Sequence, residues 1–474
     1  MKHKIPLILG FDGKTLSRET AKHLSSVDPV GLILFKRNLG TAAEIHRLVR
    51  QIKDLLGDVI LSIDHEGGLV NRFGAEFAVP PAVRALHSID GNLQRQGAQM
   101  LAALPAHFGF NLNFAPVADL HQSGGFLGAR AFASSPQEVS AFAQVQIEAH
   151  ETFGVGSCVK HFPGHGRVSV DTHQRQAVLN SSLAEMMELD LVPYLQTKAP
   201  VVMASHVVYP ALDSQYPASL SKKILKGLLK EKLGYQGLVV TDCLEMSALD
   251  KFGPEKMVDL GVEAEIDLWV SSFSLKRSLS FQRKLADRLQ ENTQVGPNPK
   301  ISSFLSKYRP KPTPLIPVSQ SIELRARSIQ KSGPVPSGPW VLVHLGGAGQ
   351  LKVNQGEATS SFCQGMAAAC PEVRKTFSLS WERLQTLGPR LGDWGTTGFC
   401  ILLAYDHAKA PENGVDRLEK LAKGYKILHL DLGETIDLMG ANSPKWRCFG
   451  TDPLTIQAIS RELNQRNDRN QLLF

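Results

Sequence analysis

Cysteine is scarce in this 474-residue chain. Its six residues (Cys158, Cys243, Cys363, Cys370, Cys400, Cys448) stand apart and form no C-x-x-C pair. That pattern excludes a disulfide framework and reads as buried, reduced thiols. No apolar stretch approaches the ~20 residues of a membrane span. The start, Met1-Lys2-His3-Lys4-Ile5-Pro6, lacks the longer apolar region and small-residue cleavage site of a signal peptide, so the expected location is cytoplasmic. There is no run of four consecutive Lys or Arg and no acidic tail. The formal charge of +7 (52 Lys+Arg against 45 Asp+Glu) is too mild a bias to point to a nucleic-acid partner. Internal repeats and low-complexity tracts are also missing. A composition of 43% hydrophobic and 20% charged residues argues against a fibrous, coiled-coil or disordered protein.

What is present is an alternation. Short apolar runs at 7–12, 31–35, 59–64, 112–116, 156–161, 201–206, 237–242 and 266–271 read as strands, apolar on both faces. Helix-period segments lie between several of them, at 135–153, 182–196 and 221–233; Ser135 with Glu138 forms a capping-box pattern. Eight such alternations predict a (β/α)8 TIM-like barrel over residues 1–294, with a doubly wound open sheet as the alternative. Residues 295–320 carry Pro297, Pro299, Pro310, Pro312, Pro314 and Pro317 and are expected to be a linker or wrapping segment. A smaller α/β sandwich domain is expected over 321–474, opening with a helix at 321–331. Its expected strands are 340–345, 399–404 and 427–430, with helices near 381–386, 416–423 and 453–465.

The polar residues gather at the carboxyl ends of the expected strands: Asp64 and Glu66 after the third, Lys160 and His161 on the fifth, His206 ending the sixth and Asp242 the seventh. In a barrel that rim is where catalysis takes place. The densest segment is Lys160-His161-Phe162-Pro163-Gly164-His165-Gly166 followed by Asp171-Thr172-His173. In an extended loop, residues i and i+2 point the same way. Asp171 is therefore placed to bond one imidazole nitrogen of His173 and leave the other for proton transfer. A strand running into Asp242 sets a carboxylate at the barrel mouth, although a helix N-cap is an equal reading of that residue on local sequence. Gly67-Gly68 lets backbone approach a ligand closely, while Asp64, Arg72 and Arg130 offer grips for hydroxyl oxygens.

These motifs, I-D-H-E-G-G, G-A-R-A-F, K-H-F-P-G-H-G with D-T-H, and T-D-C-L-E-M, resemble in order and spacing those of family 3 glycoside hydrolases, more narrowly the β-N-acetylglucosaminidase branch. The similarity spans roughly residues 5–275 and continues more weakly to the end. By position the resemblance implies Asp242 as nucleophile, His173 as acid/base and Asp171 tuning it. Asp64, Arg72, Arg130, Lys160 and His161 would hold the sugar. It implies a retaining exo-β-N-acetylglucosaminidase that needs no metal or other cofactor. Its partner would be a carbohydrate, either muropeptides in peptidoglycan recycling or chito-oligosaccharides. The chain departs from the family pattern at His65, Leu69, Ala129 and Ala131, which touches pocket detail rather than chemistry.

Rival readings remain at this level: a β-N-acetylglucosaminide phosphorylase, another family 3 β-glycosidase, a sugar-binding protein with a dead barrel, and a zinc hydrolase built on His161, His165 and His173. Pro163 and Gly164 between the first two histidines argue against the helix that the zinc reading needs. Should His173 not be the acid, Glu66 and Glu245 are the replacement carboxylates.

Overall fold

The structure is a computed structural model and describes residues 4–123, 125–168, 176–273, 275–292, 298–332, 340–346, 361–370, 373–380, 400–405, 427–431, 445–448 and 453–471. It divides into two compact units, residues 1–79 with 91–316, and residues 80–90 with 317–474.

The first unit is a closed barrel of eight parallel strands: β1 (Ile5–Leu9), β2 (Pro29–Leu34), β3 (Ile60–Ile63), β4 (Leu112–Asn113), β5 (Gly156–Phe162), β6 (Val201–Ala204), β7 (Leu238–Cys243) and β8 (Leu268–Ser271). Closure comes from β1, which pairs with both β2 and β8. This topology excludes the open doubly wound sheet. Ile8, Ile33, Phe114, Met203, Val240 and Val270 belong to one buried cluster, so the interior is a packed core and not a channel. Between strands, the helix Pro136–Thr152 starts where Ser135 accepts a hydrogen bond from the Glu138 backbone N–H. The expected helix at 182–196 is instead two, Leu183–Glu188 and Val192–Gln196. Between them Asp190 turns inward to hold Arg167, and Pro193 cannot supply the N–H a continuous helix needs.

Residues 295–320 are not purely a linker. Helix Pro299–Lys307 belongs to the barrel unit, and its Ile301 and Phe304 join the barrel core from the amino-terminal end. Asn298 caps this helix and donates to Asp267 Oδ1 (2.6 Å), while Asp267 Oδ2 accepts from the Val239 backbone N–H (2.8 Å). At the start of β5, Gly156 leaves room for Phe304: a Cβ there would lie 2.5 Å from the ring. Proline content marked this stretch as loop because prolines delimit the helix without entering its middle.

The second unit holds a six-stranded sheet ordered β11-β10-β12-β13-β14-β9: β9 (Gln330–Ser332), β10 (Trp340–Gly346), β11 (Val373–Ser380), β12 (Cys400–Tyr405), β13 (Ile427–Asp431) and β14 (Lys445–Arg447). All pairings are parallel except β14 with β9. Trp340, Leu342, Leu402, Ala404, Leu428, Leu430 and Trp446 alternate onto one core. Helices Val318–Ser328, Ser361–Ala369 and Pro453–Gln471 contribute Ala326, Met366 and Ile459 to that core. Segment 80–90 joins this unit through Arg325, which donates to the Pro80 carbonyl. The expected helices near 381–386 and 416–423 lie outside the described residues.

Candidate active site

The carboxyl ends of β3, β5 and β7 converge on a pocket of about 690 Å³, its open mouth included. Asp64, Arg72, Arg130, Lys160, His161 and Asp242, all singled out from sequence, line it together. Glu66, His165, Phe126 and Cys243 line it as well. Asp171 and His173 lie in 169–175, outside the described residues.

Most of one wall is an interlocked set of charges. After β3 the chain turns back at Gly67 (φ 84°) and Gly68 (φ 54°), a left-handed pair that few other residues adopt. The Glu66 N–H then meets the Val70 carbonyl at 2.9 Å. This turn delivers Asp64, Glu66 and Arg72 to one place. Arg130 donates to Glu66 through Nε (2.8 Å) and Nη2 (3.0 Å), a two-pronged grip. Lys160 Nζ bridges Glu66 Oε1 (2.6 Å) and Asp64 Oδ1 (2.9 Å), and Arg72 approaches Asp64 at 3.5 Å. Burial alone would raise the Glu66 carboxyl; Arg130 and Lys160 overcome it and hold it well below the usual carboxylate range. Burial likewise opposes the Lys160 ammonium, but Asp64 and Glu66 raise it.

Glu66, in the sequence a strand-end carboxylate and a replacement candidate for the acid, is the centre of this wall. A general acid must carry a proton near neutrality, and a carboxylate held by two cations does not. Glu245 is no better placed: its Oε2 accepts from Ser271 Oγ (2.8 Å) and the Phe273 N–H (3.1 Å), away from the pocket lining. Neither carboxylate therefore suits the role of replacement acid. Replacing Glu66 with Gln leaves Arg130 and Lys160 short of a buried counter-charge. The expected cost is about 3–5 kcal/mol of folding stability, read by denaturant unfolding; a loss under about 1 kcal/mol would mean the cluster is solvated. Because the folded carboxyl is depressed, this contribution is present above the ordinary carboxylate range. It disappears only as pH falls through the lowered value.

Asp119 carries no sequence signal: it lies beyond the apolar run 112–116 and no motif contains it. Fully buried, it accepts from His161 Nδ1 (2.7 Å) and the His161 N–H (3.1 Å) on one oxygen, and from the His165 N–H (2.6 Å) on the other. Burial would raise its carboxyl, but His161 and His165 lower it. Asp119 thus fixes the His161 ring and the loop after β5 at once. That loop is also held by Arg167 on Asp190 (2.6 Å) and by Tyr209, which donates to the Gly164 carbonyl (2.7 Å). Past 169–175, the Val208 N–H donates to the Ala177 carbonyl (3.0 Å).

Asp242 sits at the end of β7 and accepts from the Cys243 N–H at 2.7 Å. Burial would raise its carboxyl; His206, His161, the Cys243 N–H and Lys160 together lower it. It is therefore ionised and half-buried at the pocket, not a surface helix cap. His206, between Ser219 Oγ (2.7 Å) and the Cys243 carbonyl (2.9 Å), braces the turn that follows. Cys243 is pushed up to about 12, chiefly by burial and then by Glu245, so its thiol stays protonated. Among the described residues no group of three or more His, Cys, Asp or Glu is placed to hold a metal ion.

A closed eight-stranded barrel with this sequence has known counterparts. Residues 4–294, well over half the chain, match the glycosyl hydrolase family 3 N terminal domain. The chain belongs to glycosyl hydrolase family 3. It is accordingly a glycoside hydrolase. A curated beta-hexosaminidase from Nitrosomonas eutropha is 34% identical over 260 residues, covering 52% of this chain and 74% of that protein. The family 3 beta-N-acetylglucosaminidase from Paenibacillus sp. str. FPU-7 superposes with a TM-score of 0.80 at 22% identity, over 98% of this chain and 96% of that one. This likeness extends to the fold of both units. NagZ from Neisseria gonorrhoeae matches at a TM-score of 0.58 and 27% identity, over 68% of this chain and 95% of its own. Among the described residues no helix is long and apolar enough to cross a membrane.

Proposed function

We propose that this family 3 enzyme is a retaining exo-β-N-acetylhexosaminidase, releasing terminal N-acetylglucosamine from β-glycosides. The observation that carries the reading is Asp242, half-buried and ionised in the lining of a pocket whose other wall is the Asp64–Glu66–Arg130–Lys160 cluster. Fixed donors and acceptors of that kind suit the hydroxyls of one sugar ring. The name of the curated relatives, beta-hexosaminidase, supports a hexosaminide substrate.

In the proposed course, a carboxylate oxygen of Asp242 forms a bond to the anomeric carbon as the glycosidic C–O bond breaks. His173 gives its proton to the leaving oxygen, while Asp171 orients the imidazole. His173 then takes a proton from water, which attacks the anomeric carbon and releases Asp242 from the glycosyl ester. Retaining glycosidases usually use two carboxyl groups for these roles; an imidazole of ordinary pKa ~6.5 serves as both acid and base near neutrality. The barrel, residues 1–294, carries the chemistry, and muropeptides or chito-oligosaccharides are the natural substrates in this reading.

Stereochemistry is the direct test. Proton NMR of early hydrolysis of an N-acetylglucosamine β-glycoside is expected to show the β-anomer first, and an α-anomer first would overturn the nucleophile. Running the assay with inorganic phosphate separates the phosphorylase alternative, since accumulation of a sugar 1-phosphate in place of free sugar would identify it.

A further inference from the structure

A second cavity opens among the helices outside the barrel strands, about 1100 Å³ with its mouth included, against about 690 Å³ for the catalytic pocket. The two share no lining residue. Its walls are the helices Arg18–Val27 and Leu275–Glu291. Glu19, Lys22 and His23 stand three and four positions apart on the first, and Arg283 and Asp287 four apart on the second, so each helix presents one stripe. The stripes carry both signs of charge. Among the described residues, Glu19, Lys22, Arg283 and Asp287 form no ion pair, with each other or with a neighbour.

His23 lies on the floor of this cavity, 2% exposed, and its Nδ1 is buried with no hydrogen-bond partner. The state of that nitrogen follows from the other one. The Gly10 carbonyl can only accept, so the Gln282 amide nitrogen faces it (3.3 Å) and Gln282 Oε1 faces His23 Nε2 (2.9 Å). Nε2 therefore carries the proton, and Nδ1 is a bare acceptor. Burial lowers the imidazole pKa by more than the Gln282 bond raises it, and Arg283 lowers it further, so the ring is neutral near pH 7. The Ser26 hydroxyl on the same wall is committed to the His23 carbonyl (2.7 Å). A buried acceptor without a donor costs free energy, and a donor brought by a ligand recovers it.

We propose that this cavity is a second binding site, for a small zwitterion such as an amino acid or dipeptide, whose ammonium donates to His23 Nδ1 and whose carboxylate is held by Lys22 and Arg283. A donor is required at Nδ1, and Glu19 and Asp287 favour one that is positively charged. The two cations then call for an anionic group on the same ligand. Val27, Leu279 and Ala286 offer apolar surface to a short aliphatic side chain. A neutral sugar or a simple anion would leave charges of at least one sign unused. Nothing in this site depends on which glycoside the barrel cleaves.

Isothermal titration calorimetry of the full chain with the dipeptide alanylalanine is the test. N-acetyl-alanylalanine, which lacks the ammonium, and alanylalanine amide, which lacks the carboxylate, are titrated beside it. Wild type is expected to bind alanylalanine with a Kd of about 1 mM or below, and each capped form about 10-fold more weakly. Arg283→Gln and Asp287→Asn, both at exposed positions, should each weaken binding about 2–5-fold. His23→Phe keeps a ring and removes the acceptor, and should weaken binding about 10-fold. Thermal melts confirm folding, and if His23→Phe does not fold the two exposed variants decide. Asp242→Asn, in the catalytic pocket, should bind as wild type does. No binding at about 10 mM dipeptide, capped forms that bind as well as the parent, or wild-type affinity in the folded cavity variants would each overturn the site. Loss of binding in Asp242→Asn would move the dipeptide to the catalytic pocket and overturn it as well.

Discussion

Asp242→Ala is expected to abolish turnover, on the order of 10⁴-fold or more in kcat, on poor and good leaving groups alike. Leaving-group quality does not help because the missing part is the attacking oxygen, not the proton. No neighbour can take its place: Glu66 is held by Arg130 and Lys160, Asp64 by Lys160, and Glu245 by Ser271 and the Phe273 N–H. The substitution also removes the acceptor of the Cys243 N–H, so Asp242→Asn, which keeps an acceptor there, is the control for folding. Azide should restore part of the alanine variant's rate on an activated substrate by entering the space of the lost carboxylate. It would yield the α-glycosyl azide. Initial rates and product NMR read both results; more than about 1% residual turnover would remove Asp242 from the nucleophile's role.

His173→Ala should instead split substrates by leaving group. A phenyl glycoside, which needs protonation as its bond breaks, is expected to lose roughly 10²–10⁴-fold in kcat/KM. A dinitrophenyl glycoside needs little protonation, and its first step should fall by less than about 10-fold. The glycosyl-enzyme should then accumulate, because the base that activates water is gone too, and a burst of dinitrophenol followed by slow turnover would report it. Asp171→Ala should behave as a milder version, shifting a limb of the pH–rate profile as the imidazole loses its orientation. Equal losses on the two glycosides at every resolved step would show that His173 is not the acid. The new candidate would then have to come from outside Glu66 and Glu245, whose partners hold them in other work.

Much of the barrel was legible residue by residue. Parallel strands buried on both faces need nearly continuous apolar runs, and Val201–Ala204 or Leu238–Cys243 carry that signature without help from the rest of the chain. The second unit was harder to read. Gln330–Ser332 and Lys445–Arg447 are three residues each and largely polar, so they are strands only because a neighbouring strand offers them hydrogen bonds. Helix Pro299–Lys307 hid among prolines for a similar reason: its helicity depends on burying Ile301 and Phe304 under the barrel.

The site divides in the same way. By itself the sequence determined which chemical groups stand at strand ends: Asp64, Lys160, His161 and Asp242 are fixed there by strand registers that local apolar patterning sets. It also determined the family, since motif order survives without coordinates. Only the tertiary structure decided how those charges are matched. Glu66 pairs with Arg130 across 64 positions and with Lys160 across 94, and Asp119 reaches His161 across 42. Partners so far apart in sequence have no local pattern linking them. Their meeting depends on the parallel pairing of β3 with β4 and of β4 with β5, which sets those strand ends side by side, and low-dielectric burial then makes the ion pairing strong enough to set each group's charge.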